Sequence, residues 1–335
     1  MKNLVAIDIG SQCVKVLDIR GSGDRKVVKN CAIRGITENG VRVTEEQVTR
    51  AIQDIVSRMD GVSSQAVTAV SGKSVIVRNV DFPNQSKTDI LRQIREEENK
   101  YIPVNLKDYF YDISIFDVPL PERKTLHGVI AAAKKETVVN QVKMINNAGL
   151  STALVDINSL ALINLYAALA ELSKTEGTVT ALVDIGASST HVGIIIKGAS
   201  IFSREIGIGS NMISFSICEK LNCDFDSAEK MKHAGMESVN EYAMPVVLKL
   251  VKELTMSFNF FEAESGVNVE RIFFAGGGAL LKGFTETISR SLEIPSEIMS
   301  PLSFFHNEAK DGGDMLKEAS PAFAVCAGLA LRHLD

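Results

Sequence analysis

Polar and apolar residues alternate with a period of two in two stretches of the chain, residues 3–35 and residues 180–206. This period is typical of half-buried strands, so each stretch predicts three antiparallel strands in a meander. The period then lengthens to that of an amphipathic helix, and Thr44 with Gln47 forms a capping box before the first one. The pattern therefore predicts an α/β architecture that is built twice, with a cleft between its halves.

A different pattern interrupts the first half between residues 74 and 149. Its order is strand, acidic helix, two strands and a second helix, with turns of its own, which predicts a small inserted subdomain. The domain organisation that follows is a first lobe of residues 1–73 and 150–176, the inserted subdomain, and a second lobe of residues 177–335.

One acidic-glycine turn stands inside both meanders, as VAIDIGSQCVK at residues 5–15 and as LVDIGASSTHVG at residues 182–193. Glycine permits a turn that a Cβ would obstruct, and the exposed backbone N–H groups can then converge on an anion. The preceding Asp8 and Asp184 stand where a carboxylate can hold a cation that neutralises phosphate. The repeat predicts two phosphate-binding hairpins.

A third glycine turn, AGGGALLKGF at residues 275–284, joins a predicted strand to a helix that we expect to begin at Ala279. Backbone can approach a flat ligand or a phosphate there. The signal is weak alone, because any turn from strand to helix can use glycine.

Composition narrows the function classes. The 335 residues are 45% hydrophobic and 23% charged, and 36 basic against 41 acidic side chains give a net charge of −5. This balance gives no electrostatic reason to expect nucleic acid. No apolar run approaches the roughly 18 residues that span a bilayer, and no signal segment opens the chain, so we expect a cytoplasmic protein. The five cysteines are scattered without metal-ligand spacing, which indicates reduced thiols.

Taken together, the two Asp-x-Gly hairpins, the late glycine turn and a terminal helix with Ala324, Ala327 and Gly328 resemble the five nucleotide-binding segments of the actin, Hsp70 and sugar-kinase superfamily. The position of the inserted subdomain resembles FtsA rather than actin. Four further segments resemble the PilM family of type IV pilus assembly: VIVRNVDFP at 75–83, YIP at 101–103, VIAAAKKETV at 129–138 and NNAGLSTALVDINSLAL at 146–162. The resemblance covers essentially the whole chain.

This resemblance implies an actin-like ATPase fold, in which two duplicated RNase H-like lobes enclose a nucleotide cleft and the first lobe carries an FtsA/PilM-type inserted subdomain. It implies ATP and Mg²⁺ as ligands, with Asp8 and Asp184 holding Mg²⁺ through water. The residues that would wrap the phosphates from the two sides are Gly10, Ser11, Gln12 and Cys13, and Gly186, Ala187, Ser188, Ser189 and Thr190. Lys15 would add a positive charge, unless it faces solvent as strand lysines commonly do.

For the adenosine, the resemblance points to the segment DSAEKMKHAG at residues 226–235. Its Glu229 and Lys232 match the A-E-x-x-K pattern that contacts ribose and base in the superfamily, and the i to i+3 spacing puts both on one helix face. The alternative is a surface ion pair without a ligand. Gly209, Ser210 and Asn211 match another turn of the family, and Gly277 and Gly278 would pass beneath the nucleotide.

Hydrolysis needs a group that orients the attacking water. Active members of the superfamily place an acid or amide there, and the aligned position in DINSLAL is Ile157, with Asp156 or Asn158 as substitutes. The resemblance therefore implies weak hydrolysis, or ATP as a structural and switching ligand, with no firm catalytic residue.

The family also implies a partner, the amino-terminal cytoplasmic peptide of the membrane protein PilN, held in a groove between the first lobe and the inserted subdomain. The protein would then link the inner-membrane pilus platform to the cytoplasmic motors, with membrane association through partners only. Oligomeric state stays open, with a homo-oligomer among the alternatives. The rival functions are an FtsA-like division or secretion scaffold, a small-molecule kinase, and a scaffold without nucleotide. We expect no amphipathic tether after the terminal helix, which disfavours the first. None of the five histidines falls in a motif that supplies a catalytic base, which disfavours the second.

Overall fold

A computed structural model describes residues 2–22, 25–83, 85–102, 104–116, 126–173, 177–309 and 318–334. The first meander lies in a six-stranded sheet with the strand order β10-β6-β1-β2-β3-β16. Its strands are β1 (Lys2–Ile9), β2 (Cys13–Ser22), β3 (Arg25–Gly35), β6 (Gln65–Val70), β10 (Ser151–Ile157) and β16 (His306–Asn307). Strands β1 to β3 are antiparallel, whereas β6 runs parallel to β1 after a crossover through α1 (Glu45–Ser57). The predicted capping box at the start of α1 is confirmed.

A five-stranded sheet repeats this arrangement in the order β13-β12-β11-β14-β15. Its strands are β11 (Thr180–Ile185), β12 (Thr190–Ile196), β13 (Ala199–Ile206), β14 (Arg271–Ala275) and β15 (Ser296–Ile298). Again three antiparallel strands come first, and β14 pairs with β11 in parallel. Four helices belong to this half: α6 (Asn211–Leu221), α7 (Phe225–His233), α8 (Met236–Ser265) and α9 (Phe284–Leu292). The repeated architecture that the two meanders predict is confirmed.

Residues 74–149 contain a separate three-stranded sheet with the order β7-β9-β8. The elements are β7 (Val75–Phe82), α2 (Lys87–Glu96), α3 (Glu98–Tyr101), β8 (Tyr109–Phe116), β9 (Leu126–Lys134) and α4 (Lys135–Asn147). The helices and the sheet enclose a small core of their own around Phe82, Ile90 and Ile94. The Nε2 of the buried His127 lies 2.9 Å from the Ser200 carbonyl oxygen, so this sheet also touches the five-stranded half.

The end of the chain returns to the six-stranded sheet, although the sequence assigned all of residues 177–335 to the second lobe. Strand β16 pairs with β3, and the last helix, α10 (Ala324–Leu334), packs on β1 and on α5 (Asn158–Ser173). A Cβ at Gly328 would overlap the Ala161 carbonyl, so glycine is what lets these two helices approach so closely. Residues 174–176, at the predicted boundary, and Pro103, in the YIP segment, lie outside the described residues.

The late glycine turn differs from the prediction. Residues Gly277–Leu280 form a 3-10 turn, and α9 begins only at Phe284 rather than at Ala279. The reason is local, because Gly276 and Gly283 both have a φ of +84° and a helix cannot continue through such a residue. A short hairpin that the sequence analysis did not predict joins β3 to α1, made of β4 (Thr37–Glu38) and β5 (Val41–Arg42). Across the described ranges, no helix is long and apolar enough to cross a bilayer.

Candidate functional site

The two acidic-glycine turns have the same hydrogen bond at their base. Gly10 N–H donates to the Cys13 carbonyl over 3.0 Å, and Gly186 N–H donates to the Ser189 carbonyl over 2.9 Å. In both turns an antiparallel strand pair leads in and out, which places Lys15 opposite Asp8 and His191 opposite Asp184. The local sequence thus fixes two like-shaped turns, and the doubled sheet brings them face to face.

Charge between the turns is concentrated on three side chains. Lys15 Nζ lies 2.7 Å from Asp8 Oδ2, and the lysine side chain is only 12% exposed. Burial works to lower the pKa of Lys15, but the Asp8 carboxylate together with Cys13 and Cys326 outweighs burial and raises that pKa well above its usual range. Burial also raises the pKa of Asp184 to about 6, with Lys15 opposing and Asp8 adding to the shift. Lys15 therefore does not face solvent, and it stands as the counter-ion of both carboxylates.

The second turn is held from behind by residues 207–211. Ser210 N–H donates to the Gly186 carbonyl over 3.0 Å, and Asn211 N–H donates to the Ala187 carbonyl over 2.9 Å. A Cβ at Gly209 would overlap the Ala187 carbonyl, so the contact requires glycine there. Three predicted site residues, Thr190, Gly209 and Asn211, accordingly support the turn and are absent from the described lining of the cavity, whereas Ser210 reaches it.

The late glycine turn passes directly over Asp184. Gly276 N–H donates to the Pro321 carbonyl over 3.0 Å, and a Cβ at Gly276 would overlap the Asp184 carboxylate. A Cβ at Gly278 would overlap the Ile185 side chain, whereas Gly277 has open space beside it. Gly277 and Gly278 therefore supply bare backbone to the cleft, as predicted for a turn that a flat ligand approaches.

Helix α7 carries a buried ion pair at its cleft face. Glu229 pairs with Lys232, whose side chain is 6% exposed, and Ser214 donates to the same carboxylate. From the first turn, Gln12 Nε2 reaches Glu229 Oε2 over 3.3 Å. Burial raises the pKa of Glu229, but the donors outweigh it and leave that pKa below its usual range. The pair is therefore not on the open surface, because Lys232 is buried, Glu229 is mostly covered and Gln12 reaches Glu229 across the cleft. That the pair binds a ligand stays a prediction.

One cavity of about 960 Å³ connects these features, within the range of sites for small ligands. The predicted site residues in its lining are Asp8, Gly10, Ser11, Gln12, Cys13, Lys15, Asp184, Gly186, Ala187, Ser188, Ser189, Ser210, Glu229, Lys232, Gly277 and Gly278. Where the water-orienting group was expected, Ile157, Asn158 and Ser159 line the cavity. Asp156 does not: its carboxylate is buried and its Oδ1 accepts from the Ile157 backbone N–H over 2.8 Å.

Two side-chain oxygens beside the cavity have no hydrogen-bond partner among the described residues, Asn158 Oδ1 and Ser159 Oγ, and both are buried. A buried polar atom without a partner is costly and commonly marks a place for a bound water or ligand. Of the two substitutes that the alignment allowed, the structure therefore favours Asn158 over Asp156.

The sequence analysis missed the hairpin at the mouth of this cavity. Thr37 and Arg42 line the cavity, and Gly40 at the hairpin tip packs on the Phe225 ring of α7 so closely that a Cβ would approach within 2.7 Å of it. A signal was present, because Asn39 and Gly40 both have positive φ and an Asn-Gly pair is the strongest short-range hairpin signature.

The residues of the cavity fit Mg²⁺ and a nucleotide. Within the described part of the chain, no group of three or more His, Cys, Asp or Glu side chains could hold a metal ion unaided. Asp8 and Asp184 are two carboxylates beside bare backbone, which suits a cation that keeps most of its water and binds phosphate. A Cβ at Gly10 would come within 3.1 Å of the Cys13 carbonyl oxygen, and a Cβ at Gly276 would overlap Asp184, so the turns need bare backbone at both positions.

Doubled sheets, two matching turns and a cleft between them define the class of actin-like ATPase folds, and comparisons with known structures agree. A PilM-PilN type IV pilus biogenesis complex has a TM-score of 0.86 and 24% identity, covering 99% of this chain and 98% of that chain. MreB 5 of Spiroplasma citri bound to AMPPNP has a TM-score of 0.54 and 12% identity, covering 99% and 96%.

Sequence comparison gives the family. A cell division protein FtsA of Borreliella burgdorferi is 23% identical over 382 residues, which cover 98% of this chain and 90% of that protein. The family model described as type IV pilus assembly protein PilM matches residues 6–334, and the chain belongs to that family. The resemblance seen in the sequence is confirmed.

Proposed function

We propose that this protein is an ATP-binding, actin-like scaffold of type IV pilus assembly, built from two lobes around the cleft with residues 74–149 as an insertion. One observation carries the nucleotide assignment: both acidic-glycine turns and the Glu229–Lys232 pair line one cavity of about 960 Å³. Phosphates suit the turns, where backbone amides and Lys15 offer positive charge. Ribose and base suit the α7 side, where Glu229 is a hydrogen-bond acceptor.

Mg²⁺ would be held through water by Asp184 and Asp8, and it would neutralise the phosphates there. Asp184 has the greater need of a cation, since burial raises its pKa and Lys15 pairs directly with Asp8. Hydrolysis is expected to be weak, because Ile157 stands where active members of the superfamily carry an acid or amide, and the neighbouring Asn158 would have to orient the water instead. The nucleotide then serves chiefly as a structural and switching ligand.

Calorimetry with Mg²⁺-ATP tests the nucleotide assignment. We expect binding by the wild type and at least a tenfold loss in Asp184→Ala, with no change in Asp226→Ala, an exposed acid on the same helix as Glu229. No detectable binding at millimolar nucleotide, or equal binding by Asp184→Ala, would show that the cleft is not an ATP site. Single-turnover assays of Asn158→Ala and Asp156→Ala then separate the two residues, and only the first should lower residual hydrolysis.

The partner we propose is the amino-terminal cytoplasmic peptide of PilN. Support comes from the family and from the fold shared with the PilM of the PilM-PilN complex. The groove would lie between the six-stranded and three-stranded sheets, and the protein would sit in the cytoplasm, reach the inner membrane through PilN, and connect the platform with the motors. Fluorescence anisotropy with the PilN peptide from the same genome tests this, and a scrambled peptide is the control. Equal binding of the two peptides would remove the pilus-partner proposal while leaving the ATP site intact.

A further inference from the structure

Among the described residues, the six-stranded sheet has an open edge on β3, at the side opposite to β10. Strand β3 runs over Arg25–Gly35, but β16 pairs only with Val27 and Val28. The last bond on that side is Glu308 N–H to the Val28 carbonyl, 3.0 Å. Past that point the strand has β2 on one side and no strand on the other among the described residues.

The direction of the backbone groups follows from the register. Ile36 N–H donates to the Gln12 carbonyl on the β2 side over 2.8 Å, and backbone groups alternate along a strand. Those of Cys31 and Ile33 therefore point away from β2, toward the open edge. Lys29 is an extra residue of β3 that has no partner in β2, so the alternation of backbone groups changes by one position there. This explains why the Val28 carbonyl, before the extra residue, also points away from β2. Within the described ranges, no hydrogen bond joins these outward groups to another residue.

A groove of about 600 Å³ follows this edge. Residues Lys29 to Arg34 of β3 form its floor, Ile55 and Met59 at the end of α1 form one wall, and Ala309 lies at the other. About five strand residues extend over roughly 17 Å, so the groove matches one short extended segment in length. The groove is concave, so a single extended segment can enter it. The same edge of a second copy is concave as well and would fit less closely.

The charges in the groove give the chemistry of such a segment. Arg34 pairs with Asp54 over 2.7 Å, Lys29 pairs with Glu308, and Arg20 pairs with Asp18 over 3.6 Å. Asp60 lines the groove as well and is not without a partner of its own. Arg58, exposed at the wall, has no ion-pair partner in the described part of the chain. An incoming strand with an acidic side chain near Arg58 would form an ion pair with it. The backbone of that strand would form hydrogen bonds with the outward backbone groups of Cys31 and Ile33.

We propose that the β3 edge is a second docking site, which binds an extended acidic segment of a partner protein by adding a strand to the sheet. The site lies at the edge of the sheet opposite to the groove proposed for the PilN peptide, and of its described lining residues only Ile33 also lines the nucleotide cavity. Natural proteins usually cover or blunt such edges. In the described part of the chain, the paired charges and the extra residue at Lys29 leave a short stretch of the edge open.

Hydrogen exchange of the full chain, read at single amides, gives the first test. The Cys31 and Ile33 amides should exchange quickly in the free protein. Slow exchange would mean that the edge is already covered, by residues 310–317 or by a second copy, and would overturn the proposal. Analytical ultracentrifugation at the same concentration tells these two apart.

Peptide binding gives the second test. The probes are soluble seven-residue peptides of alternating valine and threonine, in which one position at a time is replaced by glutamate, glutamine or lysine. We expect glutamate peptides to bind and to slow exchange at Cys31 and Ile33. Cys31→Pro removes an outward N–H but no bond to β2, so it should weaken binding at least tenfold, whereas Cys31→Val keeps the N–H and should bind as the wild type.

Arg58→Glu should reverse the preference of the protein, so that lysine peptides bind better than glutamate peptides. This variant still tests the proposal if Cys31→Pro does not fold. The proposal is wrong if no peptide binds, or if binding is indifferent to both Cys31→Pro and Arg58→Glu. Mg²⁺-ATP binding of every variant should equal that of the wild type, which separates failure here from failure of the nucleotide site.

Discussion

Gln12 and Glu229 meet across the cleft, where the Gln12 amide nitrogen lies 3.3 Å from Glu229 Oε2. The two residues are 217 positions apart, one in the first turn and the other on α7. Glu229 also accepts from Ser214 and Lys232, so three donors share the carboxylate that we assign to the ribose. The phosphate and adenosine ends of the site are therefore connected by the protein itself.

This contact predicts that Gln12→Glu weakens Mg²⁺-ATP binding at least tenfold, or about 1.4 kcal/mol. The new carboxylate would face Glu229 and the phosphates, and like charges in a partly buried cleft repel. Gln12→Met is the matched control, since methionine keeps the length of the side chain without adding a charge. Its affinity for Mg²⁺-ATP should fall less than threefold. Equal affinities of Gln12→Glu and Gln12→Met in calorimetry would contradict a role for charge at this position.

The Glu229–Lys232 pair predicts that stability and binding can be separated. Glu229→Ala leaves the buried Lys232 ammonium without its carboxylate, which should lower the free energy of unfolding by about 3 kcal/mol. Glu229→Gln with Lys232→Met removes both charges and should recover most of that loss in urea titrations. Nucleotide affinity should stay low in this double variant, because the acceptor for ribose is gone. Full recovery of affinity would show that the pair is only structural.

The hairpin at the cavity mouth predicts faster nucleotide release in Gly40→Ala. The added Cβ would collide with the Phe225 ring, so the hairpin must move away from α7. Gly198→Ala is the matched control, because Gly198 has a φ of +79° against +77° for Gly40 but nothing within 4 Å of the new Cβ. Stopped-flow displacement of a fluorescent ATP analogue should give at least a threefold faster release for Gly40→Ala alone. If the two variants release the nucleotide at similar rates, backbone strain at a residue with positive φ explains the change, and contact with Phe225 does not.

Local signals explain what the sequence predicted well. The capping box at Thr44 spans three positions, and each predicted meander is made of consecutive strands. The sequence also predicted that the two turns line one cleft, because the repeat implies the symmetry. Each of these statements depends on residues that are close in the chain or on the repeat itself.

Contacts between distant segments explain what the sequence did not predict. The bond from Gln12 to Glu229 and the packing of Gly40 on Phe225 both depend on how the two halves meet, which no periodicity encodes. Likewise, α10 has apolar residues on most of its surface, so its pattern shows burial without showing which sheet covers it. Asn158 was distinguished from Asp156 only by which of the two residues lines the cavity.

A last prediction concerns pH and His191. Its Nε2 lies 2.9 Å from Ser203 Oγ, while Nδ1 is buried without a partner among the described residues. Burial lowers the pKa of His191 to about 4, from about 6.5 in an unfolded chain. The folded state thus resists a proton that the unfolded state accepts, so this histidine's share of stability is complete above pH 6.5 and is lost as the pH falls toward 4.

Asp184 acts in the opposite direction, because its raised pKa of about 6 favours the folded state as the pH falls. The wild type must therefore be compared with a variant rather than judged by its own profile. The free energy of unfolding, measured in urea, should fall between pH 7.5 and pH 5 by about 1–2 kcal/mol less in His191→Gln than in the wild type. His306→Gln, at an exposed histidine outside the cavity, should keep the wild-type slope. Parallel slopes for His191→Gln and the wild type would mean that His191 is protonated as easily in the fold as in the unfolded chain.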